Sequence, residues 1–455
     1  MWLLCSQSKC CYVQQKVILV RNGDRTTITM SNDFQGDIKD FAMVVPIPNV
    51  IERSDIRVLE RSIFNALGSY SAPRLVEYYD QDPCGVRYYT RDLAPVPQLL
   101  VVEDAEIELT AEENDYQVTI EATYSVEEYE ILVLSAKESS GLKNWLLDNG
   151  YKIPAKAEEV LDPYIKNGLK FFVVKVNLEE YNQRQFQNYL RPLQLTVQSD
   201  RFMLPIRLGM ANANGDQDML VYTLSKKGRV ETTNYKTEKV PSNINVPTFI
   251  KEKFEPFYKR VFDQAHDKTG RNAVMLEYAW TVTPSWGGVK CDPCVGNPPY
   301  YNELQQAGVD WLNTGEQVFF TRLHVKYSRS KFPEDLFFQE TPNTEHFQCR
   351  YVLQHSVKGE TKCSEAAAYW QKVRKRRRTE LLNMANITGW DPLAHNDYIF
   401  TGTTNNEVQF KRGSIVPYWF NTKNLGLKLS LFGFVSLLII HLGKKIKNRF
   451  NHSNI

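Results

Sequence analysis

The residue spacing with the clearest chemical meaning is Cys291-Asp292-Pro293-Cys294, a CxxC. Such a pair serves redox chemistry when its first thiol opens a helix, because the helix terminus and nearby cations lower the thiol pKa. It serves a zinc ion when a second knuckle supplies two more thiolates. Here the surrounding sequence does not follow a strand and open a helix, and the next cysteines, Cys349 and Cys363, have thirteen residues between them instead of a knuckle's two. A structural disulfide, local or to a distant partner, is the leading reading of Cys291 and Cys294, with redox and metal roles as alternatives. Cys349 and Cys363 form a second candidate disulfide.

A strand-like run at 319–327 sets Phe319, Thr321, Leu323, Val325 and Tyr327 on one face and Phe320, Arg322, His324 and Lys326 on the other. The stripe Arg322, His324 and Lys326 is a candidate anion-binding face. The competing reading is a wetted sheet face whose cations meet carboxylates. Ser140-Gly141-Leu142-Lys143 and Lys268-Thr269-Gly270 match two of the three boxes of penicillin-recognising serine enzymes. The middle box is missing, and the second match closes a helix, with Gly270 as its cap, so coincidence is the simpler explanation.

Two charge clusters stand apart. Seven acids run from Glu103 to Asp115 without the glycine-pivoted ligand spacing of a calcium loop, and they fit a charged surface loop. Lys372, Arg374, Lys375, Arg376, Arg377 and Arg378 could meet phosphate groups of lipid or nucleic acid, but they lie within an amphipathic helix whose solvated face is the default. No HExxH, GxSxG, Walker loop or GxGxxG is present, so no cofactor and no metal is expected.

The elements that must position these residues are mostly strands. The 455 residues carry 55 basic and 53 acidic side chains, with 42% hydrophobic and 24% charged. That is the balance of an ordinary folded protein, and a net charge of +2 gives no reason to expect nucleic acid as a partner. Strands are expected at 16–21, 26–31, 41–47, 117–126, 130–135, 170–176, 193–198, 219–224 and 229–235, with a tight turn at Asn22-Gly23. Helices are expected at 140–149 and 155–167, capped by Gly150 and Gly168, and at 248–266 and 364–386. Pro256 predicts a kink or break inside the third helix. Strands mixed with segregated helices give an α+β class, a β-rich mixed sheet rather than strict βαβ alternation.

The chain ends bear on compartment. Met1-Trp2-Leu3-Leu4-Cys5 has no basic segment and too short an apolar stretch for an export signal. Near the other end, 425–443 is interrupted by Lys428, is apolar or small from Leu429 to Ile440, and continues through His441 and Leu442 to Lys444, Lys445, Lys447 and Arg449. That predicts one C-terminal transmembrane helix at 425–443, a basic tail at 444–455 and a polar stalk at 401–424. Residues 1–400 then form the α+β region, with a division into two subdomains near 236–246 as an option. Eight scattered cysteines fit a few disulfides in an oxidising compartment, which places the bulk of the chain outside the membrane.

Several phrases occur together that resemble the uncharacterised bacterial family known as domain of unknown function 2330. They include Arg21-Asn22-Gly23-Asp24-Arg25-Thr26, Phe41-Ala42-Met43-Val44-Val45-Pro46-Ile47-Pro48, Ala72-Pro73-Arg74-Leu75-Val76-Glu77-Tyr78, Phe202-Met203-Leu204-Pro205-Ile206-Arg207-Leu208-Gly209 and Thr321-Arg322-Leu323-His324-Val325. The resemblance runs from about Val13 to Trp390. It implies an exported, envelope-associated bacterial protein and brings no assigned activity, so it transfers no functional residue. The expectation is a membrane-anchored envelope protein that binds an envelope protein or ligand or serves a structural role. The alternative is an envelope enzyme, hydrolase-like, whose site is assembled from distant residues.

Overall fold

The computed structural model of the protein describes residues 15–31, 42–85, 112–113, 116–151, 156–183, 189–211, 215–282, 298–312, 317–359 and 361–401. Alternation in the sequence becomes a mixed α+β fold built on a nine-stranded sheet. Its path runs Lys236–Lys239, Ala273–Val282, Val318–Tyr327, Gln217–Ser225, Gln15–Asn22, Arg25–Met30, Leu193–Gln198 and Ile56–Val58, with Phe347–Gln348 beside Ala273–Val282. Gln15–Asn22 pairs parallel to Gln217–Ser225 and antiparallel to Arg25–Met30. Asn22 and Arg25 close the hairpin, and Gly23 takes the left-handed φ of +63° that the turn needs.

Both faces of this sheet are covered, which explains why the centre of a strand such as Gln15–Asn22 is apolar on both sides, from Val17 to Val20. On one face Val17, Leu19, Ile28, Leu323 and Val325 join a core shared with a five-stranded antiparallel sheet. The well-paired strands of that second sheet are Ala42–Ile47, Lys170–Val176, Tyr129–Ala136 and Val118–Val126. On the other face Ile18, Val20, Tyr222 and Phe320 pack with Ile63, Phe64 and Leu67 of the helix Ser62–Ser71. Burying an apolar side chain of that size contributes about 1.5–3 kcal/mol, so two covered faces account for much of the driving force.

The helices expected from capping residues form close to where they were placed. Ser139–Asp148 and Ala157–Lys166 end before Gly150 and Gly168, whose φ values are +76° and +72°. Pro256 does not kink its helix. A 3-10 turn, Thr248–Lys253, precedes an α-helix at Phe254–Lys268, and Pro256 falls in the first turn, where its missing N–H would have had no partner. A three-stranded parallel sheet of Ile244–Asn245, Arg350–His355 and Arg74–Tyr79 lies outside the expected set.

Met1–Pro392 clusters as one compact unit and Leu393–Ile455 as another. The optional division near 236–246 runs through paired strands, since Lys236–Lys239 is zipped to Ala273–Val282 and Ile244–Asn245 to Arg350–His355. No helix among the described residues is long and apolar enough to cross a membrane. The span expected at 425–443, nearly all of the stalk before it and the basic tail after it lie outside the described residues.

Candidate functional site

The cationic stripe is where chemistry-bearing side chains converge. Arg322, His324 and Lys326 do share one face of Val318–Tyr327, but that face is not open to an external anion. The strand beside it, Ala273–Val282, carries a bulge between Leu276 and Tyr278. The extra residue lets Glu277 and Tyr278 act on the same side of the sheet, and it aims the Glu277 carboxylate at the stripe. Arg322 Nε donates to Glu277 Oε2 at 2.6 Å, and His324 Nδ1 lies 2.7 Å from Glu277 Oε1. His324 Nε2 is 2.9 Å from Asp218 Oδ1 on the neighbouring strand Gln217–Ser225. Lys326 Nζ donates to Asp263 Oδ1 at 2.8 Å.

The roof over the cluster is the helix Phe254–Lys268. Tyr258, Phe262 and Asp263 lie on one side of it, following the i, i+4 and i+5 spacing of a helical face. The Tyr258 hydroxyl donates to Glu277 Oε1 at 2.5 Å, and the Phe262 ring stacks on the His324 imidazole at 3.9 Å between centroids. Glu277 is 0% exposed, Arg322 8% and His324 7%, so the charges have been taken almost completely out of water. Burial pushes the Glu277 carboxyl up. The charges of Arg322 and His324, with hydrogen bonds from His324 and Tyr258, outweigh it and hold the group at about 2. Burial likewise pulls the His324 imidazole down, but Glu277 and Asp218 raise it to about 9. The charged forms of Glu277, Arg322 and His324 are thus favoured, and their charges are offset within the fold.

Other charged groups are also held by partners within the fold. Glu77 sits between Lys251 Nζ at 2.7 Å and His355 Nε2 at 2.8 Å. Arg207 Nε is 3.9 Å from the buried Asp335, which accepts from Tyr164 and from the Ile206 and Arg207 amides. Asp80 accepts both arms of Arg376, at 3.0 and 2.9 Å, together with Tyr369 and Gln354. Ser140 and Lys143 are not joined: Ser140 faces Glu138 at 3.5 Å and Lys143 pairs with Glu158 at 3.3 Å. Thr269 caps its own helix on the His266 carbonyl, and Gly270 has φ +75°. The coincidental boxes therefore build no acyl-enzyme site.

The cysteine pairing differs from the expectation. Cys363 is bonded to Cys84, not to Cys349. Cys349 follows the short strand Phe347–Gln348, is fully buried, and lies 3.5 Å from the Tyr351 hydroxyl. Cys363 precedes the helix Ala366–Thr388 and meets the segment beyond Arg74–Tyr79. Nearness in sequence did not translate into nearness in space. Burial pushes the Cys349 thiol up to about 12, so it is expected to resist iodoacetamide at pH 8 in the folded protein and to react fully in 6 M guanidinium. Alkylation of Cys349 in the native state at the unfolded rate would overturn this. Cys291 and Cys294 lie outside the described residues.

Among the described residues, one cavity measures about 380 Å³ and another about 190 Å³. Thr123, Ser125, Glu130, Tyr151 and Lys175 help line the first, and Thr26, Ile47, Asn167 and Met203 the second. None of the charged clusters above opens into either. Among the described residues, no group of three or more His, Cys, Asp or Glu side chains is placed to hold a metal ion. Glu277 is the residue that sequence reasoning missed. The available signal was its isolation, as the sole charge in the apolar strand Ala273–Val282, where an acid requires a partner.

Fold and site together define a mixed α+β protein whose buried charges are spent on one another. The chain belongs to the bacterial family domain of unknown function 2330, described as an uncharacterized protein conserved in bacteria, whose model matches residues 3–339. No curated protein matches the chain. Three chains among solved structures match, including the 2.7 Å crystal structure of a mutated baculovirus P35 after caspase cleavage. That structure is 9% identical and covers 74% of this chain and 98% of its own; its TM-score of 0.24 carries no argument about fold or function.

Proposed function

We propose that the protein is a binding or structural component of the bacterial cell envelope, held to the membrane by the apolar segment 425–443. The observation that supports this reading is the internal saturation of its polar clusters. A catalytic acid, base or nucleophile has to present a proton or lone pair to a substrate-sized space. Glu277, Arg322, His324, Asp80 and Arg376 direct theirs at each other. Such clusters stiffen a scaffold. No specific observation among the described residues favours the competing reading of an envelope enzyme. The Cys84–Cys363 bond supports an oxidising compartment for the bulk of the chain.

Fractionation and thiol trapping in bacterial cells test the location. The full chain is expected in the carbonate-washed membrane, and deletion of 425–455 should release it. An unchanged distribution after deletion rejects the anchor. Alkylation of Cys84 in intact cells, before any reductant is added, rejects the extracytoplasmic placement. For the binding role, cross-linking in intact cells should move the chain into discrete larger species. A chain that stays monomeric where other envelope complexes are trapped rejects it.

A further inference from the structure

The six-cation cluster is not a uniform solvated face. The helix Ala366–Thr388 turns two of its cations inward: Arg376 grips Asp80 and also faces the buried Glu380 at 3.4 Å, while Arg377 is buried and donates to Ser356. Lys372, Lys375 and Arg378 are exposed and Arg374 is half-buried beside them. None of these four is in an ion pair among the described residues. Exposed positions recur at Ala368, Gln371, Lys372, Lys375, Arg378, Thr379 and Leu382, which is one stripe of a 3.6-residue period. Glu380 is the single carboxylate between Ala366 and Thr388 and it is 1% exposed, so from Ala368 to Leu382 the outward stripe carries no acid; the exposed Glu365 lies at the N-cap, before the cations begin. Leu382, 58% exposed, continues the stripe with an apolar side chain.

A solvated helix face ordinarily intersperses both signs, since i, i+4 pairs of opposite charge stabilise it and like charges repel. Arg374, Lys375 and Arg378 repel one another with nothing on the helix to offset them. We propose that this outward face docks on an anionic lipid surface. The inference rests on the membrane-anchor reading above. In sequence, residues 389–424 separate the helix end from the proposed span, so anchoring the chain raises the effective concentration of lipid headgroups at the stripe. Charge complementarity supplies the attraction, about five-fold in surface partitioning for each cation near the bilayer, and Leu382 can sit at headgroup level.

The test reconstitutes the full chain into phosphatidylcholine vesicles and into vesicles with 30% phosphatidylglycerol. Flotation with the neutral vesicles reports the anchor by itself. Acetylation of Lys372 and Lys375, followed by mass spectrometry, reports the docking. Acetylation is expected to be at least five-fold slower on the anionic vesicles, to recover in 0.5 M NaCl, and to recover in Arg374→Gln/Arg378→Gln. Lys166 and Lys236, already paired with Asp162 and Glu238, serve as controls whose rates should not change. Equal rates for Lys372 and Lys375 on the two vesicle types overturn the proposal even if flotation succeeds. Failure to float on neutral vesicles with protection intact on anionic ones removes the anchor and leaves the docking face standing. Protection by soluble polyphosphate or DNA but not by anionic vesicles also overturns it.

Discussion

Replacing Glu277 by glutamine is expected to destabilise the fold by about 3–5 kcal/mol, because Arg322 and His324 would be left buried without their counter-charge. The substitution conserves shape, so neither a cavity nor lost packing explains the loss. Denaturant unfolding should show a lower midpoint with an unchanged m-value. Replacing the whole unit with apolar residues, as in Glu277→Met/Arg322→Met/His324→Leu, should recover most of the loss, since desolvating the charges costs nearly as much as their attraction returns. A single variant within about 1 kcal/mol of the parent would show that the charges are solvated and the cluster is not a buried unit.

The same cluster fixes a pH dependence. His324 titrates at about 9 in the fold against 6.5 for an ordinary histidine. A raised folded pKa gives stability that is complete below the unfolded value and is lost as pH rises through the folded one. Stability should therefore decline between pH 6.5 and about 9. Glu277, held at about 2 against 4.5, works the other way: its contribution is present above pH 4.5 and lost as pH falls toward about 2. In Glu277→Gln the alkaline decline should become shallower, because His324 loses the stronger of the two charges that raise it and keeps only Asp218.

Breaking the Cys84–Cys363 bond is the second large expected effect. The two residues are 279 apart in sequence, so the cross-link removes a long loop's worth of freedom from the unfolded chain. A loss of about 2–5 kcal/mol is expected for Cys84→Ser/Cys363→Ser, as for the loss of a native disulfide, read in a chain of this length as a fall in Tm of roughly 2–6 °C. The Asp80 network joins the same two stretches of chain and persists without the disulfide, but it acts on the native state and does not replace a constraint on the unfolded one. A non-reducing peptide map should recover Cys84 linked to Cys363 and Cys349 as a free thiol. Unchanged melting after complete reduction would show that the bond contributes nothing.

Much of the fold was legible from residue order. The alternation from Val118 to Val126 and the β-branched run at Lys170–Val176 state their own conformation, because period-two patterning is local. Gly150 and Gly168 announced two helix ends for the same reason: a left-handed cap is a property of one residue. Strand Arg74–Tyr79 was missed because its three-stranded sheet is parallel and assembled from segments far apart in the chain. The break at Pro256 was expected because a proline's effect depends on its distance from the helix start, and that start was placed six residues too early for the α-helical part.

The candidate site divided along the same line. Residue order by itself determined that Arg322, His324 and Lys326 share a face, since successive side chains on a strand alternate, and it determined the family. It left open what covers that face. The tertiary structure decided this through contacts between distant positions. A bulge 45 residues away aims Glu277 at Arg322, and the helix Phe254–Lys268 brings Tyr258, Phe262 and Asp263 over the stripe. It also matched Cys363 with Cys84 in place of Cys349. Charge and thiol chemistry act over a few ångströms, and which groups come that close is set by packing that no local periodicity encodes.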